Sequence, residues 1–418
     1  MTLSAPLPSD AEALVVGAGL SGLSCALILE GQGIDVHIVE AADDVGGRIR
    51  TDEVEGFLLD RGFQVLLTAY EEVQAQLDLP RLDLQAFAPG SMIWTGSSLE
   101  TMGDPFRDPA TVLASAAARV GTMKDKLKVA ALRRRVLGMS PEACFAGPDR
   151  STQEELVAEG FTPDFIDTFF RPFLGGVFLE RELETAAGLF RYYFRCFAAG
   201  DAAVPAGGMQ RLPELLALPL DSRITLDTPV TEVSADGVTT ADGRHIKAKH
   251  VVVAVDGAAA HDLLDTPSPE FKATVTSYFA AGQAPTRQPL LILDGEGSGP
   301  ANHVAVMSNV APAYAPAGEH LISVSGVDEA ARDPDSFRDA VPAQLRRWFG
   351  DSVDAWRHLR TYRIPHALPR HPAGSLAHRG DPAQRSDGLI VAGDYSEFGA
   401  IQGALASGRR AADEILKR

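Results

Sequence analysis

Six residues near the start of the chain, Gly17-Ala18-Gly19-Leu20-Ser21-Gly22, have the GxGxxG spacing that suits a pyrophosphate. Gly17 permits a tight turn, Gly19 lets the backbone approach a phosphate, and Gly22 lets a helix pack on a strand. About twenty residues on, Glu40, with Ala41 beside it, can accept hydrogen bonds from both ribose hydroxyls of an adenosine. Chemistry of this kind needs elements to hold it. Residues 12–16 read as a buried strand, and the apolar stretch 23–29 has helical spacing and stops at Gly31 and Gly33. Residues 34–39 read as a second strand that delivers Glu40. The helix start supplies free N–H groups and a positive dipole end for phosphate.

The next segment narrows the choice of dinucleotide. Val45-Gly46-Gly47-Arg48-Ile49-Arg50-Thr51 follows closely after Glu40, where a plain nicotinamide-binding fold has no need of two glycines and an arginine. GxGxxG, a strand-ending Glu and GGR together resemble the flavin-containing amine oxidase superfamily, which includes monoamine and polyamine oxidases, protoporphyrinogen oxidase and the phytoene desaturases. The resemblance implies an α/β fold: a Rossmann-like FAD-binding domain of the GR2 type with an inserted α+β substrate domain. It sets Gly47 and Arg48 near the FAD pyrophosphate, where a fixed cation suits phosphate charge. Asp60-Arg61-Gly62-Phe63-Gln64 resembles the segment beside the isoalloxazine ring, which makes Gly62, Phe63 and Gln64 candidate flavin contacts.

Distant pieces must complete such a domain. Pro205-Ala206-Gly207-Gly208-Met209 opens a helix over 212–218. The β-rich runs 224–226, 229–233, 238–240 and 246–255, broken by Asp236-Gly237 and Asp242-Gly243, read as hairpins. By the resemblance, Val230 reaches the adenine through its backbone. Near the C-terminus a strand over 388–391 meets Gly393-Asp394, a loop, and Ile401-Gln402-Gly403-Ala404 opening a helix over 405–416. The resemblance brings Asp394 to the ribityl or pyrophosphate part of FAD. It points the helix start near Ile401, Gln402 and Ala404 at the flavin pyrimidine end. No cysteine follows Gly393, so the FAD is expected to be non-covalent. Gly295-Glu296-Gly297-Ser298-Gly299 runs into Pro300 and no helix, so no second dinucleotide unit is expected. The flavin is then reduced by substrate and reoxidised by oxygen, a quinone or another acceptor.

The bulk properties close off other classes. Apolar residues make up 45 % and charged residues 22 % of 418, a globular composition long enough for two domains. A formal net charge of −18 argues against nucleic acid, which requires clustered cations. Three scattered cysteines suit neither a disulfide framework nor a metal site, so no metal is expected. With no apolar run of spanning length and no signal-peptide pattern over residues 1–10, a cytoplasmic setting is expected, with peripheral membrane contact as its alternative. Oligomeric state is not legible.

The domain reading assigns 1–75, 200–265 and 381–418 to FAD binding, and 76–199 with 266–380 to a substrate domain with a helical cap. Residues 111–139 read as a long helix with Gly121 as its weak point. They hold seven basic residues against one acid, Asp125. This island is either a solvated face or a contact with an anionic membrane surface. Eleven aromatic residues fall between Phe161 and Phe197, in part core and in part the wall of an apolar pocket. In the resembling amine oxidases a lysine of the substrate domain is bridged by water to flavin N5; here no lysine lies between Lys272 and Lys417. Arg287 stands in about that region, but an always-charged guanidinium cannot take that role easily. The candidate catalytic residues are Arg171, within Arg171-Pro172-Phe173-Leu174-Gly175-Gly176-Val177-Phe178, together with Arg287 and Tyr395.

The expected activity is FAD-dependent hydride removal from an apolar organic molecule, isoprenoid- or tetrapyrrole-like, as the small-molecule partner. The alternatives are an amine or amino-acid oxidase without its lysine, and a flavin-binding protein without turnover. A nicotinamide dehydrogenase fits GxGxxG alone.

Overall fold

The structure, a computed structural model, describes residues 4–381, 383 and 385–417. Strand Asp10–Val16 pairs in parallel with Val36–Val39 on one side and His245–Val253 on the other. Parallel neighbours need a crossover, and the helix Leu20–Gly31 provides it. The apolar runs of these strands are buried, as a sheet covered on both faces requires. The complete order is Ile224–Thr225, Val36–Val39, Asp10–Val16, His245–Val253, Gly237–Thr240, Val230–Ser234, with Ile390–Val391 parallel to the end of His245–Val253. Three distant parts of the chain therefore build one sheet. The C-terminal helix Ile401–Leu416 packs along Leu20–Gly31.

Two Asp-Gly turns join Val230–Ser234, Gly237–Thr240 and His245–Val253 as an antiparallel meander, as the spacing predicts. Ile224–Thr225 departs from that pattern. Asp227 takes a left-handed φ of 50°, and the run before it forms a parallel edge strand beside Val36–Val39 instead of a hairpin.

A second seven-stranded sheet has the order Arg357–Pro369, Phe271–Ala281, His320–Val327, His303–Val306, Leu291–Asp294, Gly90–Trp94, Leu99–Gly103. Leu291–Asp294 lies parallel to Gly90–Trp94, so residues from 76–199 and from 266–380 share this sheet. Helix Pro334–Phe349 covers one face through Phe337, Val341, Leu345 and Trp348.

The expected long helix over 111–139 is two helices, Val112–Ala117 and Met123–Leu137. Gly121 separates them with φ 62°, and the ring of Phe165 occupies the space a Cβ would need, at 2.2 Å. Thr122 and Asp125 then form a capping box that starts the second helix. Lys126 Nζ turns back to donate to the carbonyls of Ala116 and Ala118. Of the aromatic cluster, Phe161, Phe165, Phe170, Phe178, Phe190 and Tyr192 are core.

Candidate functional site

A cavity of about 1380 Å³ runs between the two sheets. A single small-ligand pocket takes about 300–1,000 Å³, so this one has room for a second molecule beside the first. One end is walled by glycine turns and strand ends, the other by aromatic and aliphatic side chains.

At the first end the chain leaves Asp10–Val16 through Gly17, whose φ is 105° and whose missing Cβ would lie 2.6 Å from the carbonyl oxygen of Ala254. Gly19 has nothing within 4 Å of its Cβ position and caps Leu20–Gly31 without any side-chain hydrogen bond. The first-turn N–H groups are thus available to an anion. The Glu40 carboxylate accepts the Ala18 N–H at 2.5 Å and the Ala42 N–H at 2.8 Å. Those bonds fix it at the cavity wall with lone pairs to spare for hydroxyl donors. Backbone bonds from Glu40 N–H to Thr225 and from Thr228 N–H to Glu40 bring the Val230 segment alongside.

Arg48 and Asp394 meet here. Arg48 Nη2 lies 2.5 Å from Asp394 Oδ1, while Nη1 donates to the Ala367 carbonyl at 3.0 Å. A second helix start, at Ile401, reaches the same wall, again with no side-chain cap. Gln64 Nε2 donates to the Arg48 carbonyl at 2.9 Å, and its buried Oε1 has no partner among the described residues. An orphaned acceptor on a cavity wall suits a ligand N–H. Two glycine-lined helix starts, a fixed carboxylate and one cation fit a dinucleotide with a pyrophosphate.

Of the sequence-derived contacts, Gly17, Gly19, Leu20, Ser21, Glu40, Ala41, Gly47, Arg48, Gly62, Phe63, Gln64, Val230, Gly393, Asp394, Ile401 and Ala404 all line the cavity. Ala18, Gly22 and Gln402 stand behind it. Ala18 serves Glu40, a Cβ on Gly22 would meet the Gly17 carbonyl oxygen at 2.0 Å, and Gln402 Oε1 accepts the Glu72 N–H.

The catalytic candidates fall elsewhere. Arg171 bonds Asp167 and Gln153 and the Arg181 carbonyl, away from the wall. Arg287 is exposed. Tyr395 packs its ring on Gly393 with a buried hydroxyl behind the wall, and burial raises its pKa. Motif neighbours pointed to Arg171 and Tyr395, and place in the substrate half to Arg287; none of the three lines the cavity.

The wall also holds residues that the sequence reading missed. Ala254, Val255 and Asp256 follow His245–Val253, and ligands sit at the carboxyl ends of parallel strands, a rule that could have found them. Phe87, Met102, Ile364, Ala367 and Leu368 belong to no motif.

The second end is built by Phe169, Phe173 and Val177, by Phe194 and Phe197 on the helix Ala187–Ala199, and by Leu291. Phe169 stacks on Phe173 at 5.7 Å, and Phe173 meets Phe197 at 5.2 Å. His303 lies edge-on to Phe63 at 4.8 Å. Burial lowers its pKa to about 4, so the imidazole is neutral at pH 7. Asp60 anchors the Gly62–Gln64 segment by accepting from Thr51 and Tyr314 and from the Met209 N–H. Burial raises its carboxyl to about 6, against those three hydrogen bonds. Among the described residues Lys126 is the one lysine on the wall, at the outer rim; Lys272 is paired with Glu180 at 2.9 Å, off the cavity. No group of metal-binding side chains occurs among the described residues.

Comparisons with known proteins agree with this geometry. The family of flavin-containing amine oxidoreductases matches residues 20–416. An L-amino-acid oxidase of Sistrurus catenatus edwardsii is 39 % identical over 74 residues, which is 18 % of this chain and 14 % of that protein. The chain thus matches about a seventh of that relative's length. A candidate protoporphyrinogen oxidase from Exiguobacterium sp. 255-15 has a similar structure, with TM-score 0.76 and 16 % identity over 99 % of this chain and all of the other. Cyclohexylamine oxidase from Brevibacterium oxydans IH-35A gives 0.71 at 17 % identity, over 98 % and 100 %. At such identities the two structures share the fold.

Proposed function

The chain belongs to the flavin-containing amine oxidoreductase family and is an FAD-dependent oxidoreductase, and from that premise we propose that it removes hydride from an apolar organic substrate, isoprenoid- or tetrapyrrole-like. The observation that carries this reading is the second end of the cavity, where Phe169, Phe173, Phe194, Phe197 and Leu291 converge and, among the described residues, no lysine joins them. An apolar wall selects apolar ligands and excludes water.

FAD, when bound, supplies a hydride acceptor at N5. The chain's own residues do the rest. The N–H groups after Gly19, the Glu40 carboxylate and the Val230 backbone would hold the adenosine and pyrophosphate parts. Arg48 and Asp394, paired at the same end, would meet the pyrophosphate and ribityl parts, and the Gln64 amide would offer a partner to the flavin ring. The aromatic wall would hold an apolar substrate in the same cavity and exclude water from it. His303, neutral at pH 7, accepts from Asn302 Nδ2 at its Nδ1, so its Nε2 carries the proton and can donate to a substrate oxygen or nitrogen.

A second reading, an amine or amino-acid oxidase without the usual lysine, draws on the oxidases of amines and amino acids among the similar proteins. Turnover with oxygen or a quinone as acceptor separates the two. The apolar reading expects loss of hydrogen from isoprenoid or porphyrinogen substrates by mass spectrometry, and no peroxide from amines or amino acids. Peroxide from an amine with no change in any apolar substrate would reverse the order. The setting we propose is cytoplasmic.

A further inference from the structure

The helix Arg171–Phe178 carries two adjacent glycines, Gly175 and Gly176, although glycine weakens a helix. Their missing side chains make room for a polar pair from another element. A Cβ on Gly175 would lie 3.2 Å from Asn302 Oδ1, and one on Gly176 would lie 3.0 Å from His303 Nδ1. Asn302 directly precedes the strand His303–Val306, where His303 is held between Leu293 on one neighbouring strand and Ser325 on the other. Both side chains are buried, His303 at 3 % exposure.

The amide sets the state of the imidazole. The Pro172 carbonyl can only accept, so the Asn302 atom 2.9 Å from it is the Nδ2 donor. The second N–H of that amide meets His303 Nδ1 at 3.2 Å, which must then accept, and the proton of the neutral ring sits on Nε2. Nε2 is buried and has no partner among the described residues. His303 lines the cavity, with its ring edge-on to Phe63. Tyr193, also on the wall, already gives its hydroxyl proton to the Gly399 carbonyl at 2.7 Å. An unpaired buried donor on a cavity wall calls for a ligand that completes it.

We propose that His303 Nε2–H is a specificity-determining donor of this cavity, that Asn302 positions it, and that the substrate is an apolar molecule bearing an uncharged acceptor, a carbonyl or hydroxyl oxygen. The inference rests on the apolar reading above and narrows it. A plain hydrocarbon would cover the N–H with carbon and leave it unpaired. A protonated amine would meet it donor to donor. A ketone or alcohol pairs it without bringing a charge to the apolar wall.

The test reads binding and needs no turnover. The FAD-loaded enzyme is titrated with geranylacetone, an isoprenoid ketone, and with the hydrocarbon that has a methylene in place of its carbonyl; flavin difference spectra give the dissociation constants. The ketone should bind about tenfold more tightly, the size of one net hydrogen bond. Its carbonyl stretching band, picked out by an isotope label at that carbon, should move to lower wavenumber on binding. His303→Leu should erase both the preference and the band shift, while the hydrocarbon keeps its affinity. His303→Gln, which restores an N–H, should recover part of each. Asn302→Leu should lose most of the preference, because the ring is then free to present a lone pair. Equal affinity of the wild type for ketone and hydrocarbon, or an unshifted band, would overturn the inference and leave the apolar reading standing. Failure of both molecules to bind would overturn the apolar reading and this inference with it.

Discussion

Arg48 and Asp394 are 346 positions apart in the chain and 2.5 Å apart in the fold. The Asp394 side chain is only 5 % exposed, so it depends on that guanidinium for its charge partner. Arg48 reaches it from the turn after Glu40, and Asp394 from the loop that follows Ile390–Val391. The pair clasps the first and last pieces of the sheet across the cavity.

Arg48→Gln should therefore leave a buried carboxylate without its cation. Loss of one partner from a buried pair costs about 3–5 kcal/mol, and Arg48 is one-third exposed, so the lower end applies. Chemical denaturation should show that loss, and gel-filtered protein should carry less flavin. A denaturation midpoint and flavin content equal to wild type would show that the pair does not hold the site.

Glu40 gives a sharper test of the adenosine end. Its two backbone bonds order the glycine turn, so Glu40→Ala should fold with native circular dichroism yet lose most of its FAD on gel filtration. Glu40→Gln, which keeps an acceptor, should lose less. Full occupancy in the alanine variant would remove Glu40 from the site.

Phe173 tests the apolar end. It stacks on Phe169 at the cavity wall, and removing it deletes contact that substrate and transition state feel alike. Phe173→Ala should raise KM for an apolar substrate several-fold with kcat little changed. A matching fall in kcat at constant KM would assign the ring to the reaction itself.

Buried histidines set the acid side of stability. Burial holds His37 down from 6.5 to about 4, while Asp35 opposes and Arg223 reinforces that fall. A folded pKa below the unfolded one means that the unfolded chain binds the proton first. The contribution is present above pH 6.5 and lost as pH falls toward 4, at most roughly 3 kcal/mol. His37→Gln keeps a partner for Thr225, which His37 Nε2 meets at 2.7 Å. Its unfolding free energy should fall less than that of the wild type between pH 7 and pH 5. Parallel pH profiles for the two proteins would contradict the assignment.

Much of the site was legible because its chemistry demands glycine at fixed positions. Gly17 takes a left-handed φ of 105° and Gly22 has no room for a Cβ, so the GxGxxG spacing located the phosphate turn, while Gly47 and Gly393 were reached through the family resemblance. The break at Gly121 was legible as a weak point, but its cause, the ring of Phe165, comes from 44 positions away. The apolar end was less legible, since core and pocket use the same side chains. Phe169 lines the cavity while its neighbour Phe170 is core. The single-residue guesses Arg171 and Tyr395 rested on motif neighbours, and a helix or turn of one residue's difference points such a side chain away from the wall. Ile364 and Leu368 reach the cavity only through the pairing of Arg357–Pro369 with Phe271–Ala281, a tertiary fact.

On the proposed function, one cavity holds FAD beside an apolar substrate. Anaerobic mixing of the FAD-loaded enzyme with an isoprenoid and porphyrinogen panel, and separately with monoamines, polyamines and amino acids, tests it at the flavin absorbance band. Bleaching by a member of the first panel and none by the second is expected. Bleaching by an amine or amino acid alone would contradict it.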